Sequence, residues 1–359
     1  MLFRNILIFI LHYLKFSVSV DLGSRLACAQ EGCRVNSDSL RFMLIGDTGG
    51  NPKSKTTKHQ LNVAKSMTEI WNSERSNFVI NLGDNFYFDG VGSVGDPRFK
   101  ETFEVPYSGL DLPWYIIAGN HDHLGNVQAQ IQYTNYSTKW TFPNYYYSLK
   151  YTFGNPGVNV VFVLIDTIRL CGNNMDSFSQ KFIEWIFHDP NEAETPANPV
   201  EAEEQFSWIQ EELKKHSSAD YIFVGGHYPI YSASSHGGSK CLLDRLDPIL
   251  RNSGVTAYFS GHDHDLQHIE VNQGGSTMDY IVSGAGSRGD PSDKHEDEVP
   301  RGSVLFRYPT WGVPFDVFGW FNHGGFINVN IDKNSAHFVF YNEELERKYE
   351  THLRPRQKF

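Results

Sequence analysis

Short apolar runs that stop at a glycine and a polar side chain recur along this chain. Leu40–Ile45 runs into Gly46-Asp47-Thr48-Gly49, and Phe78–Leu82 runs into Gly83-Asp84-Asn85-Phe86-Tyr87. Pro113–Ala118 stops at Gly119-Asn120-His121-Asp122 and Tyr221–Val224 at Gly225-Gly226-His227-Tyr228-Pro229, while Val255–Phe259 is followed by Gly261-His262-Asp263-His264. These runs are short and rich in β-branched or aromatic residues, which predicts buried strands. Leu61, Ala64, Met67 and Trp71 recur at helical spacing and predict a helix over 57–71. Asp96–Tyr107 reads as a short helix and a turn, and Glu204–His216 and Asp244–Ser253 as two further helices. Tyr145–Thr152, Val158–Asp166 and Met278–Val282 read as strands, and alternation in the tail gives two or three more, including Ile327–Ile331 and His337–Tyr341. Strand–helix–strand order with polar turns after the strands predicts an α/β layer with crossover connections. His188–Glu204 carries Pro190, Pro196 and Pro199 among acidic residues with no Lys or Arg, and reads as an exposed loop. No Pro/Ser/Gly-rich linker divides the chain, so one domain is expected over 38–355.

Composition narrows the partners. The 359 residues are 40% hydrophobic and 14% aromatic, enough for one large core or two modest ones. Lys and Arg total 31 against 42 Asp and Glu, a net charge of −11, which argues against a nucleic-acid or anionic-membrane binder. A phosphorylated substrate is not excluded, because metal ions can supply the positive charge locally.

Arg4 precedes an apolar run at Ile6–Leu14, too short to span a bilayer, and residues 1–29 read as a secretory signal peptide. Cleavage after Val20 and cleavage at Ala27-Cys28-Ala29 both fit. An oxidising compartment favours pairing Cys171 with Cys241, while Cys28 and Cys33 either pair with each other or are partly removed with the leader. The sequon Asn135-Tyr136-Ser137 agrees with that compartment.

The strand ends carry the chemistry. Asp47, Asp84, Asn120, His227 and the pair His262/His264 each follow a glycine or lie close behind one. Residues two apart in extended backbone point the same way, so His262 and His264 can serve neighbouring metals. Tyr87 lies three residues after Asp84 and adds a phenolate, a hard ligand that suits ferric iron. Two carboxylates, a phenolate, an amide oxygen and three imidazoles suit two metals held close together. Such a pair, roughly 3.5–4 Å apart, is the usual device for in-line displacement at phosphorus.

In order and spacing these five blocks resemble those of the purple acid phosphatases, most closely the small animal-type tartrate-resistant enzymes. The likeness extends to His121-Asp122-His123-Leu124-Gly125-Asn126-Val127 and Ser283-Gly284-Ala285-Gly286. It implies a four-layer metallophosphoesterase sandwich, α/β (α+β) in class, with two mixed β-sheets packed face to face and flanked by helices. It implies that Asp47, Asp84, Tyr87 and His264 hold Fe(III), and that Asp84, Asn120, His227 and His262 hold Fe(II), zinc or manganese, with Asp84 bridging. His121 and His236 match histidines that orient the phosphate and protonate the leaving alkoxide. The Cys171–Cys241 pairing has a counterpart in the family.

The implied protein is a monomeric, secreted or lysosomal acid phosphatase acting on small phosphomonoesters or phosphoproteins, with no stable membrane contact. A phosphodiesterase or nucleotidase on the same core, and an iron-binding redox protein, are the rival readings. Two stretches depart from the family pattern. The 188–204 loop is long, and a nearby loop in relatives restrains activity until clipped; Arg307–Phe321 reads as an insertion without a functional account.

Overall fold

The computed structural model describes residues 22–50, 55–173, 195–310 and 323–356. Its strands in chain order are β1 Cys33–Val35, β2 Leu40–Ile45, β3 Phe78–Asn81, β4 Trp114–Ile116, β5 Trp140–Thr141, β6 Tyr147–Phe153, β7 Val158–Leu164 and β8 Tyr221–Gly225. They continue with β9 Ala257–Ser260, β10 Leu266–Gln273, β11 Ser276–Ser283, β12 Val304–Tyr308, β13 Gly325–Ile331, β14 Ala336–Asn342 and β15 Arg347–Leu353. One sheet has eight strands in the order β1-β6-β7-β8-β9-β11-β10-β12, and the other has seven in the order β15-β14-β13-β2-β3-β4-β5. Both are mixed: β2, β3 and β4 pair in parallel, whereas β13 runs antiparallel to β2.

The two sheets face each other through an aromatic core. Phe42 of β2 meets Phe162 of β7 edge to face at 5.0 Å between ring centroids, and Phe223 of β8 meets Phe338 of β14 at 6.2 Å. The apolar run Val160–Leu164 of β7 follows from burial on both sides. Val158, Val160, Phe162 and Leu164 belong to the core between the sheets. Val161 and Val163 belong to a second core outside the eight-stranded sheet.

The described helices are α1 Leu22–Gln30, α2 Lys58–Glu74, α3 Val127–Tyr133, α4 Thr167–Cys171, α5 Pro199–Lys215, α6 Lys240–Arg245 and α7 Asp247–Asn252. Phe206, Ile209 and Leu213 of α5 and Leu242 and Leu250 of α6 and α7 build the second core. Val63, Ala64, Met67 and Ile70 bury one face of α2, whose Thr57 side chain caps the Gln60 N–H. Helix–sheet–sheet–helix layering is thereby reached, as the family resemblance implied.

Several elements differ from the sequence expectation. Pro199 to Glu204, expected in the exposed loop, forms the first turns of α5. Asn198 caps that helix by accepting from Val200 and Glu201, Pro199 fits the N1 position, and the acidic residues lie at the positive end of the dipole. Residues 188–194 of that loop lie outside the described residues. The helix expected over 244–253 splits into α6 and α7, since Pro248 lacks the N–H needed to continue the first. Asp96–Tyr107 contains a π-helical turn at Phe99–Glu104.

The hairpin β10–β11 closes through Gly274-Gly275, both at positive φ, a turn whose sequence signal is the Gly-Gly pair itself. Arg307 and Tyr308, expected in an insertion, end β12, and 311–321 lie outside the described residues. The described fold also takes in residues ahead of the expected boundary at 38, including α1 within the stretch read as a leader. β1 pairs in parallel with β6, and buried Arg25 of α1 donates to the carbonyls of Ser137 and Trp140. A three-residue strand with a charged centre leaves no periodic signature.

Both cysteine pairs are disulfides, Cys28–Cys33 and Cys171–Cys241. The second joins α4 to α6 across 70 residues. Replacing both of its cysteines by serine is expected to cost about 4 kcal/mol of stability by loop-closure entropy. Denaturant titration against the unmodified chain checks this; an unchanged midpoint would show that the loop is already constrained when unfolded.

Candidate metal centre

Parallel β2, β3 and β4 of one sheet and β8 and β9 of the other deliver their carboxyl ends to a shared edge, and every predicted ligand follows one of them. The loops are locked together through their backbones. Asp47 N–H donates to Gly83 C=O, Gly261 N–H to His227 C=O, and Gly286 N–H to Gly46 C=O. Asp47, Asp84 and His262 all adopt positive φ (58°, 51° and 69°), a conformation that side-chain-bearing residues hold only where the surroundings impose it. Glycine is required where these loops touch. A Cβ on Gly119 would stand 2.1 Å from Asp84 Oδ1, and one on Gly83 would stand 2.7 Å from Gly119 N and 2.8 Å from His227 Nδ1.

All nine predicted site residues come together. Tyr87 Oη donates to Asp47 Oδ1 at 2.7 Å and lies 3.0 Å from His264 Nε2. His227 Nε2 lies 2.9 Å from Asn120 Oδ1 and 3.5 Å from Asp84 Oδ1. Asp84, His227 and His262 form a buried group whose ligand atoms lie within 4.8 Å of one another. His227 is oriented from behind, with Nδ1 2.8 Å from Leu82 C=O and Nε2 left for the site. The His262 N–H donates to Asp47 Oδ2 at 2.9 Å, tying the last loop to the first. The His121 ring stands edge-on to Tyr87 at 4.8 Å with its Nδ1 2.6 Å from Phe88 C=O, and the His121 backbone N–H donates to Asp84 Oδ1 at 3.0 Å. The His236 ring lies 4.4 Å from His262 and 5.8 Å from His264.

The electrostatics favour bound cations. Burial, then the neighbouring Asp84 carboxylate, pushes the Asp47 pKa well up; burial, then Asp47 and Asp84, does the same to Tyr87. Burial holds His227 below the usual imidazole range although Asp84 opposes it. Burial, then the Arg288 guanidinium and the other histidines, holds His264 well below that range. Neutral imidazoles beside crowded oxygen acids are a ligand set, since neutral imidazole is the form that binds metal. Hard oxygens with imidazoles fit a pair of iron, zinc or manganese ions, so the residues present match the implied centre.

Three further residues carry no role in the sequence reading. Buried Asp263, between the two histidines, accepts from the N–H groups of His236 (2.9 Å) and Gly237 (3.2 Å) and fixes the His236 loop. Buried Asp122 accepts from Gly119 N (2.9 Å) and Asn85 N (3.0 Å), clamping the Asp84 and Asn120 loops. Both lie inside the motifs, where a carboxylate next to ligands was a usable signal. Arg288 donates through Nε to His264 Nδ1 at 2.7 Å, and nothing local to its sequence marks it.

Comparison with known proteins agrees with this geometry. The calcineurin-like phosphoesterase family matches residues 40–266. Tartrate-resistant acid phosphatase type 5 of Rattus norvegicus is 37% identical over 330 residues, which span 90% of this chain and 94% of the rat protein. The Homo sapiens protein of the same name is 38% identical over 319 residues, 88% of this chain and 91% of its own. Purple acid phosphatase 4 of Arabidopsis thaliana is 30% identical over 333 residues, 92% and 87% of the two chains. Among solved structures, GAP50, the anchor in the inner membrane complex of Plasmodium, superposes with a TM-score of 0.69 at 27% identity, covering 89% of this chain and 90% of its own. Purple acid phosphatase PPD1 from yellow lupin shares the fold with a TM-score of 0.61 at 14% identity, covering 89% and 54%. With its strand-end residues gathered at one sheet edge and these relatives matched over most of its length, the chain belongs to the calcineurin-like phosphoesterases, in the branch of the purple and tartrate-resistant acid phosphatases.

Proposed function

We propose that this chain is a secreted or lysosomal acid phosphatase that hydrolyses phosphate monoesters, small molecules or phosphoproteins, at a binuclear Fe(III)–M(II) centre. The observation that carries the reading is the meeting of Tyr87 Oη with Asp47 and His264 beside the Asp84–His227–His262 group. Asp47, Tyr87 and His264 would hold the ferric ion, Asn120, His227 and His262 the divalent one, and Asp84 both. Bound there, the pair supplies Lewis acidity toward phosphoryl oxygens and acidifies water, the ferric ion more strongly, so the chemistry can run in acid.

The chain's own groups do the rest. The His121 backbone N–H and the Leu82 carbonyl hold Asp84 and His227 in their orientations. His121, beside Tyr87, and His236, beside His262, would orient a phosphate and give a proton to the leaving alkoxide. Asp263 keeps the His236 loop at that distance.

Secretion is supported by the Cys28–Cys33 disulfide, and this bridge together with the buried contacts of Arg25 favours signal cleavage after Val20 over a cut after Ala29. The exposed Asn135 of the sequon agrees. Among the described residues no helix is long and apolar enough to cross a membrane, and a monomer is expected.

The test is a visible spectrum of the purified protein before and after mild reduction, paired with turnover of aryl phosphate monoesters and diesters. A purple tyrosinate–Fe(III) band that is lost in Tyr87→Phe, together with preference for the monoester, is the expected result. A colourless, fully metallated protein that prefers diesters would instead support the phosphodiesterase reading. Full metal with negligible turnover of either ester would support an iron-binding protein.

A further inference from the structure

The loop after β11 is pressed against the ligand loops along its whole length. A Cβ on Gly284 would meet Asp263 C=O at 2.0 Å, and one on Gly286 would meet Gly46 C=O at 2.3 Å. Ser287 Oγ donates to Asp47 C=O at 2.6 Å, and Asp290 N–H to His264 C=O at 2.7 Å. Arg288 lies between these two anchors, so its position is imposed by backbone contacts on either side. Its side chain is half-buried. The guanidinium carbon stands 5.0 Å from the Tyr87 ring centroid, Nε donates to His264 Nδ1, and Nη2 lies 3.2 Å from His264 Nε2.

What this guanidinium lacks decides the inference. A partly buried arginine ordinarily meets a carboxylate. Among the described residues no carboxylate lies within ion-pair distance of Arg288. Asp47, the nearest candidate by charge, spends Oδ1 on Tyr87 and Oδ2 on the His262 N–H. A guanidinium carries five N–H donors in a rigid fork, and the contacts to His264 leave the Nη1 end without a partner among the described residues. An unpaired fork at the edge of a site of this kind is suited to a tetrahedral oxyanion, which it can grip through two oxygens.

We propose that Arg288 is a substrate-binding residue that takes the phosphoryl oxygens of the ester, and that its added charge sets a preference for the dianionic monoester over the monoanionic diester. This rests on the phosphatase reading above and names the ionic form that the site selects. With a second pKa of about 6, a monoester carries about 1.5 to 2 negative charges at pH 7, whereas a diester carries one, so a fixed cation discriminates between them there. Lysine would keep the charge and lose the fork.

The experiment uses the full metal-loaded chain and its Arg288→Ala and Arg288→Lys variants at a pH above 6. Inorganic phosphate affinity is measured by calorimetry, and KM and kcat are measured for an aryl phosphate monoester and the matching diester. Metal content and the visible band are recorded for every sample. In Arg288→Ala, phosphate affinity and monoester kcat/KM are expected to fall by about tenfold to a hundredfold, the range for a lost charged hydrogen bond. Diester turnover should change by less than about threefold, and Arg288→Lys should recover part of the loss.

Unchanged phosphate affinity in a fully metallated Arg288→Ala protein would overturn the proposal. Loss of metal from both variants would overturn it too, by showing that Arg288 acts through His264. If the unsubstituted protein binds phosphate but turns over no monoester, the phosphatase reading fails. Arg288 is then judged on phosphate affinity alone.

Discussion

Replacing Asp84 with alanine is expected to remove both metals and turnover together. Asp84 is the carboxylate that faces the whole site. It lies within reach of His227, accepts the His121 N–H, and raises the pKa of Asp47 by its charge. Losing even an outer partner of a metal ligand typically costs 10–100-fold in affinity or activity, and a ligand shared by two ions must cost more. We expect kcat/KM to fall by at least about 10³-fold, with both metal equivalents reduced in parallel.

The protein without metal should remain folded. Removing Asp84 relieves the repulsion on Asp47, while alanine at φ 51° costs about 1–2 kcal/mol of backbone strain, so the two effects oppose each other. Asp84→Asn keeps the left-handed tolerance and an acceptor for the His121 N–H, and should fold as well as the parent while still losing metal. Metal analysis, steady-state kinetics and thermal melts on the three proteins check this. Near-normal turnover in Asp84→Ala would end the binuclear scheme.

Replacing Asp122 with alanine is expected to strike stability as well as activity. This buried carboxylate accepts from the backbone N–H groups of Asn85 and Gly119 and from the side-chain amides of Asn85 (3.0 Å) and Gln130 (2.8 Å). These donors come from the Asp84 loop, the Asn120 loop and α3. The Asn85 amide can turn to Ile117 C=O and Gln130 Oε1, which it already meets at 2.9 and 3.1 Å, but both backbone donors are left without an acceptor. An orphaned buried donor costs about 1–3 kcal/mol, so the loss should reach about 3–5 kcal/mol. For a domain of this size that lowers the melting temperature by roughly 10 °C. Metal affinity should fall in the same variant, since Asp84 and Asn120 lose their common clamp. Asp122→Asn should recover most of the loss, because both backbone N–H groups meet the same oxygen, Oδ2, which an amide oxygen can replace, leaving the amide nitrogen to face Gln130. An unchanged melting temperature in Asp122→Ala would show that the clamp is redundant.

The ligands were readable because each belongs to a local pattern. A short apolar run stopped by glycine puts the next polar residue at the strand's carboxyl end, and that holds for Asp47, Asp84 and Asn120 whatever lies next to the strand. The His262/His264 pair depends only on spacing within one loop. The relations across loops were not readable. His236 reaches His262 because Asp263 holds its backbone, and Arg288 reaches His264 because Gly284 and Gly286 let its loop lie against the loops that follow β2 and β9. The edge elements were missed for a related reason. β1 is too short to show a period, and α5 begins among prolines and acids that read as a loop until Asn198 is seen to cap it.

By itself the sequence determined the strands that carry the ligands, where they stop and which side chains stand at their ends, because short apolar runs and glycine stops act over a few residues. Only the tertiary structure decided the order of the fifteen described strands in two sheets, the joining of strand ends from both sheets at one edge, and the placing of Arg288 over Tyr87. Those depend on contacts between residues far apart in the chain, whose free energy comes from the common core around Phe42, Phe162 and Phe223 rather than from any local motif.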